Sequence, residues 1–152
     1  MVNLHLANKL TIMQNKEYNL FVYGSLRHGF NHAAYEYMTQ YFNLVGPGKT
    51  TGTMYDLGPY PAAVPGDGSH QIIGELYRIK QEDEFEYAIA QLDDYEGVSA
   101  TYDQPALYRR ELVTVELQDG IGQKAWIYWY NGDTTGKTVV ESGDVLEYLR
   151  NK

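Results

Sequence analysis

Leu107-Tyr108-Arg109-Arg110-Glu111-Leu112-Val113-Thr114-Val115-Glu116-Leu117, then Asp119-Gly120, then Lys124-Ala125-Trp126-Ile127-Tyr128-Trp129-Tyr130 read as two strands joined by a hairpin. Val113, Val115 and Leu117 alternate, the period of a half-buried strand. Asp-Gly is a hairpin signal, and Gly122 lengthens the loop. In the second strand Trp126, Tyr128 and Tyr130 share one side, and Ile127 and Trp129 the other. Working outward, Leu20-Phe21-Val22-Tyr23, stopped by Gly24, reads as a buried strand. Asn31 is a candidate cap for a helix through Phe42, with Tyr35, Met38 and Phe42 on one face. Gly46-Pro47-Gly48 interrupts the start of an extended stretch that runs to Leu57. Residues 58–70 hold three prolines and three glycines and are expected to form one long loop. Gln71 to Ile79 is a further strand. Asp83 and Glu86 have capping-box spacing, which predicts a helix to Tyr95 or Glu96 stopped by Gly97. Ser142 or Asp144 is the expected cap of a last short helix through Leu149. Strands in two groups around two or three helices, without regular βαβ alternation, predict a mixed α+β domain with a curled sheet or barrel. Residues 1–17 show no clean period and are expected to be an N-terminal extension, with 18–152 forming a single domain.

The composition narrows the function. The 152 residues carry a net charge of −8, which argues against a nucleic-acid partner or an anionic membrane surface. No apolar run reaches the roughly 18 residues of a membrane span. Asn3, His5, Asn8 and Lys9 interrupt any signal-peptide core, so a cytoplasmic location is expected. There is no cysteine, which removes disulfides, thiolate metal sites and a cysteine nucleophile together. Fifteen tyrosines are unusually many. Tyrosine joins an apolar body to a hydroxyl tip, which suits a pocket for a polar small molecule.

The helix from Asp83 carries the sharpest signal. At about 100° per residue, Phe85, Ile89 and Leu92 form one stripe, and Glu96 falls on it. Asp94 points away and Asp93 sits at the edge. A carboxylate is thus aimed at the core from the last turn, where the helix end is itself partly negative. Burial and that partial charge both raise a glutamate pKa, as a general acid/base requires. A structural alternative is an ion pair of Glu96 with Arg109 or Arg110.

Tyr23-Gly24-Ser25-Leu26-Arg27-His28-Gly29 links a strand to a helix. Such a turn can aim successive backbone N–H groups at an anion, or it can be a plain connection. It has neither the dinucleotide fingerprint nor a Walker lysine. It also lacks the G-x-S-x-G elbow that would make Ser25 a nucleophile. His28 and His32 are four apart, but Gly29 breaks the helix between them and a third ligand is missing, so no metal is expected.

Taken in order, several segments resemble one known family. They are Tyr23-Gly24-Ser25-Leu26, Gly52-Thr53-Met54-Tyr55-Asp56-Leu57-Gly58-Pro59-Tyr60-Pro61-Ala62 and Gly74-Glu75-Leu76-Tyr77. After them come Leu92-Asp93-Asp94-Tyr95-Glu96-Gly97, Tyr108-Arg109-Arg110, Ala125-Trp126-Ile127-Tyr128 and Glu141-Ser142-Gly143-Asp144. Over residues 18 to 146 the chain resembles the gamma-glutamylcyclotransferase-like superfamily, in its short branch with gamma-glutamylamine cyclotransferases. The resemblance implies a small closed mixed β-barrel with flanking helices. It implies a transferase that frees 5-oxoproline from a γ-glutamyl amide, with no cofactor and no metal. Glu96 would be the general acid/base. Tyr23, Gly24, Ser25, Leu26, Tyr108 and Tyr128 would surround the substrate, the turn amides holding either its carboxylate or the oxyanion. Tyr108 is out of phase with Val113 and Val115, so a bulge or an early strand start is expected there. The expected partner is a small γ-glutamyl compound, and the expected state a monomer or weak homodimer. The acidic surface slightly favours cationic or neutral leaving amines. Two other readings use the same residues: a non-catalytic binding protein of this fold, and a hydrolase using Ser25.

Overall fold

The computed structural model describes residues 16–24, 26–28, 33–99 and 104–152. The elements run β1 (Asn19–Val22), α1 (Ala33–Tyr41), β2 (Phe42–Thr51), β3 (Thr53–Asp56), β4 (Pro61–Val64) and β5 (Gln71–Ile79). A 3₁₀ turn (Glu82–Glu84) follows, then α2 (Phe85–Glu96), β6 (Tyr108–Leu117), β7 (Gly122–Tyr130), β8 (Thr138–Val139) and α3 (Val145–Arg150). Strands β1-β5-β2-β6-β7 close a barrel, and β4-β3-β8 form a small separate sheet. The barrel is mixed: its neighbours are antiparallel except β1 and β7, which meet in parallel at Leu20 and Trp126. Among the described residues, no helix is long and apolar enough to cross a membrane.

The β1–β7 seam has only this short register. Side chains reinforce it by donating to backbone carbonyls across the gap. Trp126 Nε1 donates to Glu17 O (3.0 Å), Asn19 Nδ2 to Lys124 O (3.1 Å), and the Tyr23 hydroxyl to Tyr128 O. Each otherwise buried polar group is thereby satisfied, which lets Asn19 lie in the wall at little cost.

Strand alternation gives the wall two apolar faces. Leu20, Val22, Tyr77, Ile79, Tyr108 and Tyr128 pack against Met38 of α1 and against Phe85, Ile89 and Leu92 of α2. Phe21, Ile72, Leu76, Val115, Ile127 and Trp129 fill the opposite face, with Met54, Ala63, Val140 and Val145 closing it. Tyr108 therefore needs no bulge. Its register against β7 is unbroken from Tyr108–Tyr130 to Glu116–Gly122. It is out of phase with Val115 because it belongs to the helix-covered face.

Several local expectations are corrected. The first helix ends at Tyr41, and Phe42 opens β2 without a connection; Asn31 lies outside the described residues. Gly46-Pro47-Gly48 does not interrupt the strand. An extra residue between Leu44 and Gly46 bulges β2 against β5, and β6 pairs with β2 only at Gly48 and Lys49. The missing N–H of Pro47 falls beyond that ladder, where proline is tolerated. The segment 58–70 is not all loop, because Pro61–Val64 pairs with β3 as a hairpin. The capping box does not form: the 3₁₀ turn comes first, and Glu84 at the helix start makes no side-chain cap. Asp144, rather than Ser142, caps the last helix, accepting from the N–H groups of Leu146 and Glu147.

Gly74 sits where β5 crosses closest to β1. A Cβ there would lie 2.3 Å from the Val22 carbonyl oxygen and 2.7 Å from the Phe21 ring. Backbone cannot step aside within a closed wall. Gly74→Ala is expected to cost roughly 1–3 kcal/mol, as overpacking does, read as a lower urea midpoint; an unchanged midpoint would contradict this packing.

Candidate active site

α2 presents Phe85, Ala88, Ile89 and Leu92 to the core. Glu96 continues that stripe one turn on and is partly buried. The helix stops at once after it. Gly97 takes the left-handed conformation (φ 75°, ψ 46°), and its N–H reaches back to the carbonyls of Asp93 and Asp94. Glycine fits because that conformation costs it nothing. The Gly97 carbonyl then accepts from the N–H groups of Leu107 (2.8 Å) and Tyr108 (3.4 Å). One peptide thus sets the start of β6 beside the end of α2 and brings Tyr108 next to Glu96.

A cavity of about 430 Å³ opens at the end of the β1–β7 seam. Its floor holds Glu96, Tyr23, Tyr108 and Tyr128, and Gly24 and Leu26 form one side. Pro59, Tyr60, Pro61, Tyr95 and Leu107, with Phe21 and Val22 of β1, complete the described wall. Of the expected site residues, all the described ones meet here. Ser25 lies outside the described residues. Around it the turn is closed by the Arg27 N–H donating to Gly24 O (2.9 Å). His28 is turned elsewhere, its Nδ1 3.0 Å from the Tyr35 hydroxyl; His32 is outside the described residues.

Glu96 is pushed up to about 7, chiefly by burial and secondly by the negative charge of Asp93. Periodicity places Asp93 only at the helix edge. It is the anchor of the site: Arg110 donates to both of its oxygens (2.9 and 3.2 Å), and the Tyr128 hydroxyl donates to Oδ1 (2.8 Å). Arg110 also stacks on Trp126 at 4.5 Å. The structural alternative of an arginine partner for Glu96 is not met among the described residues, since Arg110 serves Asp93, and Arg109 serves Glu111 and Asn131. Burial raises the Tyr23, Tyr108 and Tyr128 phenols far above their ordinary range, with nearby carboxylates adding to it. All three stay neutral hydrogen-bond donors at physiological pH.

The comparisons with known proteins follow this geometry. Residues 20–147 match the family described as gamma-glutamyl cyclotransferase, AIG2-like. The chain belongs to that family. It is 36% identical over 127 residues to a protein of Vibrio cholerae named putative gamma-glutamylcyclotransferase, covering 82% of this chain and 92% of that one. It is 36% identical over 130 residues to YtfP of Escherichia coli, a gamma-glutamylcyclotransferase family protein, covering 84% and 96%. The solution structure of the E. coli protein superposes with a TM-score of 0.58 at 32% identity, over 88% of this chain and 99% of that one. The crystal structure of an AIG2-like protein from Mus musculus gives 0.58 at 26% identity, over 75% and 77%. The family members thus share the closed mixed barrel seen here.

The buried carboxyl makes stability depend on pH. Its folded pKa of about 7 lies above the ordinary 4.5, so the folded chain keeps a proton that the unfolded chain has released. The cost of ionising Glu96 is absent below about 4.5, grows between the two values and is complete above about 7. Glu96→Gln removes that cost. The variant is expected to be more stable than the native chain by up to about 3 kcal/mol at pH 8, with the gain gone at pH 4. Urea denaturation at the two pH values measures it.

Proposed function

We propose that this chain is a cyclotransferase that releases 5-oxoproline and a free amine from a small γ-glutamyl amide. The observation that carries the reading is Glu96: a carboxyl at the cavity floor, held near neutrality in a member of this family. Glu96 as carboxylate takes a proton from the substrate's α-ammonium. The freed lone pair attacks the γ-carbonyl carbon and closes the five-membered ring. The carbonyl π electrons move to oxygen as an oxyanion. Its collapse breaks the bond to the leaving nitrogen, which receives the proton from Glu96. The ring nitrogen gives its second surplus proton to the regenerated Glu96 carboxylate, which passes it to the departing amine, leaving the neutral lactam. The nucleophile is tethered to its target, so the protein's main task is to hold the substrate folded. The turn amides at Gly24, Ser25 and Leu26 bind the α-carboxylate or the oxyanion. Tyr108, a neutral donor beside Glu96, orients the bound groups and does not act as a base, while Tyr23, whose proton is given to Tyr128 O, shapes the floor. Asp93 is a positioning residue that fixes Tyr128 and lifts Glu96.

The test is direct detection of 5-oxoproline from a panel of γ-glutamyl amino acids and amines. The native chain is expected to form it, and Glu96→Gln to lose about 10²–10⁴ in kcat. Product from Glu96→Gln at the native rate would remove Glu96 from the mechanism. Binding of 5-oxoproline with no turnover of any amide would replace the enzyme by a ligand-binding protein. Free glutamate in place of the ring would point to hydrolysis.

A second prediction concerns pH. The active form is the Glu96 carboxylate, so kcat/KM is expected to rise through about pH 7. Asp93→Asn removes the repulsion that helps hold the proton on Glu96. The rising limb should therefore move to lower pH, even where the loss of the Tyr128 and Arg110 contacts lowers the maximum. A limb that stays fixed would deny Asp93 this role.

A further inference from the structure

We infer that the leaving amine of the substrate carries an uncharged, apolar side chain of aromatic or branched aliphatic kind. This rests on the cyclotransferase reading and adds the substrate class to it. The cavity divides by exposure. Tyr23, Tyr108 and Tyr128 at the floor are buried, whereas Tyr60, Leu107 and Tyr95 at the mouth are 39%, 43% and 46% exposed. The reaction fixes what the floor must take: the α-ammonium, the α-carboxylate and the amide under attack. The group on the leaving nitrogen must then point toward the mouth.

The described part of the mouth is apolar, and its Tyr60 side is tied down. Among the described lining residues none is lysine, arginine or histidine, and Glu96 is the one carboxylate. A charged side chain on the leaving amine would lose water there and meet no opposite charge among the described lining residues, which is costly. Tyr60 and Tyr95 both lie near enough to Tyr108 to raise its pKa, so the rim is continuous with the reacting end. Tyr60 stands at the tip of the β3–β4 hairpin, between Pro59 and Pro61. That tip is tied down twice. The Gly58 N–H donates to Asp56 Oδ1 (2.7 Å), and the Leu57 N–H donates to Tyr60 O (3.2 Å). Asp56 is in turn held by the Tyr148 hydroxyl (2.8 Å) and Lys152 Nζ (2.9 Å). A preordered apolar rim binds an apolar group without the entropy cost of arranging itself. Large exposed apolar side chains gathered around a cavity mouth need such an occupant to leave water.

The experiment measures kcat/KM for 5-oxoproline release from γ-glutamyl-phenylalanine, γ-glutamyl-leucine, γ-glutamyl-glycine, γ-glutamyl-glutamate and Nε-γ-glutamyl-lysine. Phenylalanine and leucine amides are expected to exceed the glycine amide by roughly ten- to a hundredfold, and to exceed the glutamate and lysine members, whose leaving groups carry further charge beyond the shared α-carboxylate. Tyr60→Ser and Leu107→Ser should each shrink the phenylalanine-to-glycine ratio, mainly through KM of the phenylalanine amide. A glycine, lysine or glutamate amide that equals or surpasses the phenylalanine amide overturns this inference and leaves the cyclotransferase reading standing. A ratio unmoved in both variants overturns the assignment to this rim. No 5-oxoproline from any member overturns the cyclotransferase reading, and this inference with it.

Discussion

The parallel seam between β1 and β7 governs the rest of the molecule. Every other junction of the barrel is an antiparallel ladder, but here the ends of the sheet meet at Leu20 and Trp126 alone. Side chains of Trp126, Asn19 and Tyr23 carry the junction along its length by donating to carbonyls on the other side. The last of these bonds lies at the cavity. Tyr23 is thus fastened to the backbone of Tyr128, whose own hydroxyl is fastened to Asp93 on α2. Closing the barrel and assembling the site are one event, because the same residues do both.

The site is built around an electrostatic conflict that the fold does not relieve. Two carboxylates one turn apart on α2 face the same wall. Asp93 receives the guanidinium of Arg110 and the Tyr128 hydroxyl. Glu96 receives burial and the repulsion of its neighbour. Half-buried ion pairs hold together when both charges are well hydrogen-bonded, and the fork of Arg110 on Asp93 meets that condition. The consequence is that the stress falls on one group, Glu96, at the floor of the cavity.

Much of this was legible from residue patterns. The β6–β7 hairpin, β5 and the α2 stripe follow from simple periods, and the position of Glu96 follows from the helical count. What escaped has physical reasons. β4 was hidden because Pro61 opens it and Pro59 and Pro65 flank it, so its composition is that of a loop. β2 was hidden at its start because it grows directly out of α1, bulges between Leu44 and Gly46 and carries Pro47 within its ladder to β5. The phase of Tyr108 was read correctly, yet its meaning needed the second apolar face, which only the packed helices create. Helical spacing puts Asp93 only at the edge of the stripe and gives no hint of what it meets. Its partners Arg110 and Tyr128 lie on two strands that tertiary structure alone brings to it. Resemblance to the family pointed to the same cavity from ordered segments rather than from any one of them.

The Gly97 carbonyl, shared by the N–H groups of Leu107 and Tyr108, works as a staple at the neck of an excursion. The chain leaves α2 at this point and returns to β6 at the same point. Glu96 at the end of α2 and Tyr108 at the start of β6 both sit on the near side of that neck, so a single peptide sets their spacing. The distance between the end of the helix and the start of the strand is thus set by backbone hydrogen bonds and not by side-chain packing.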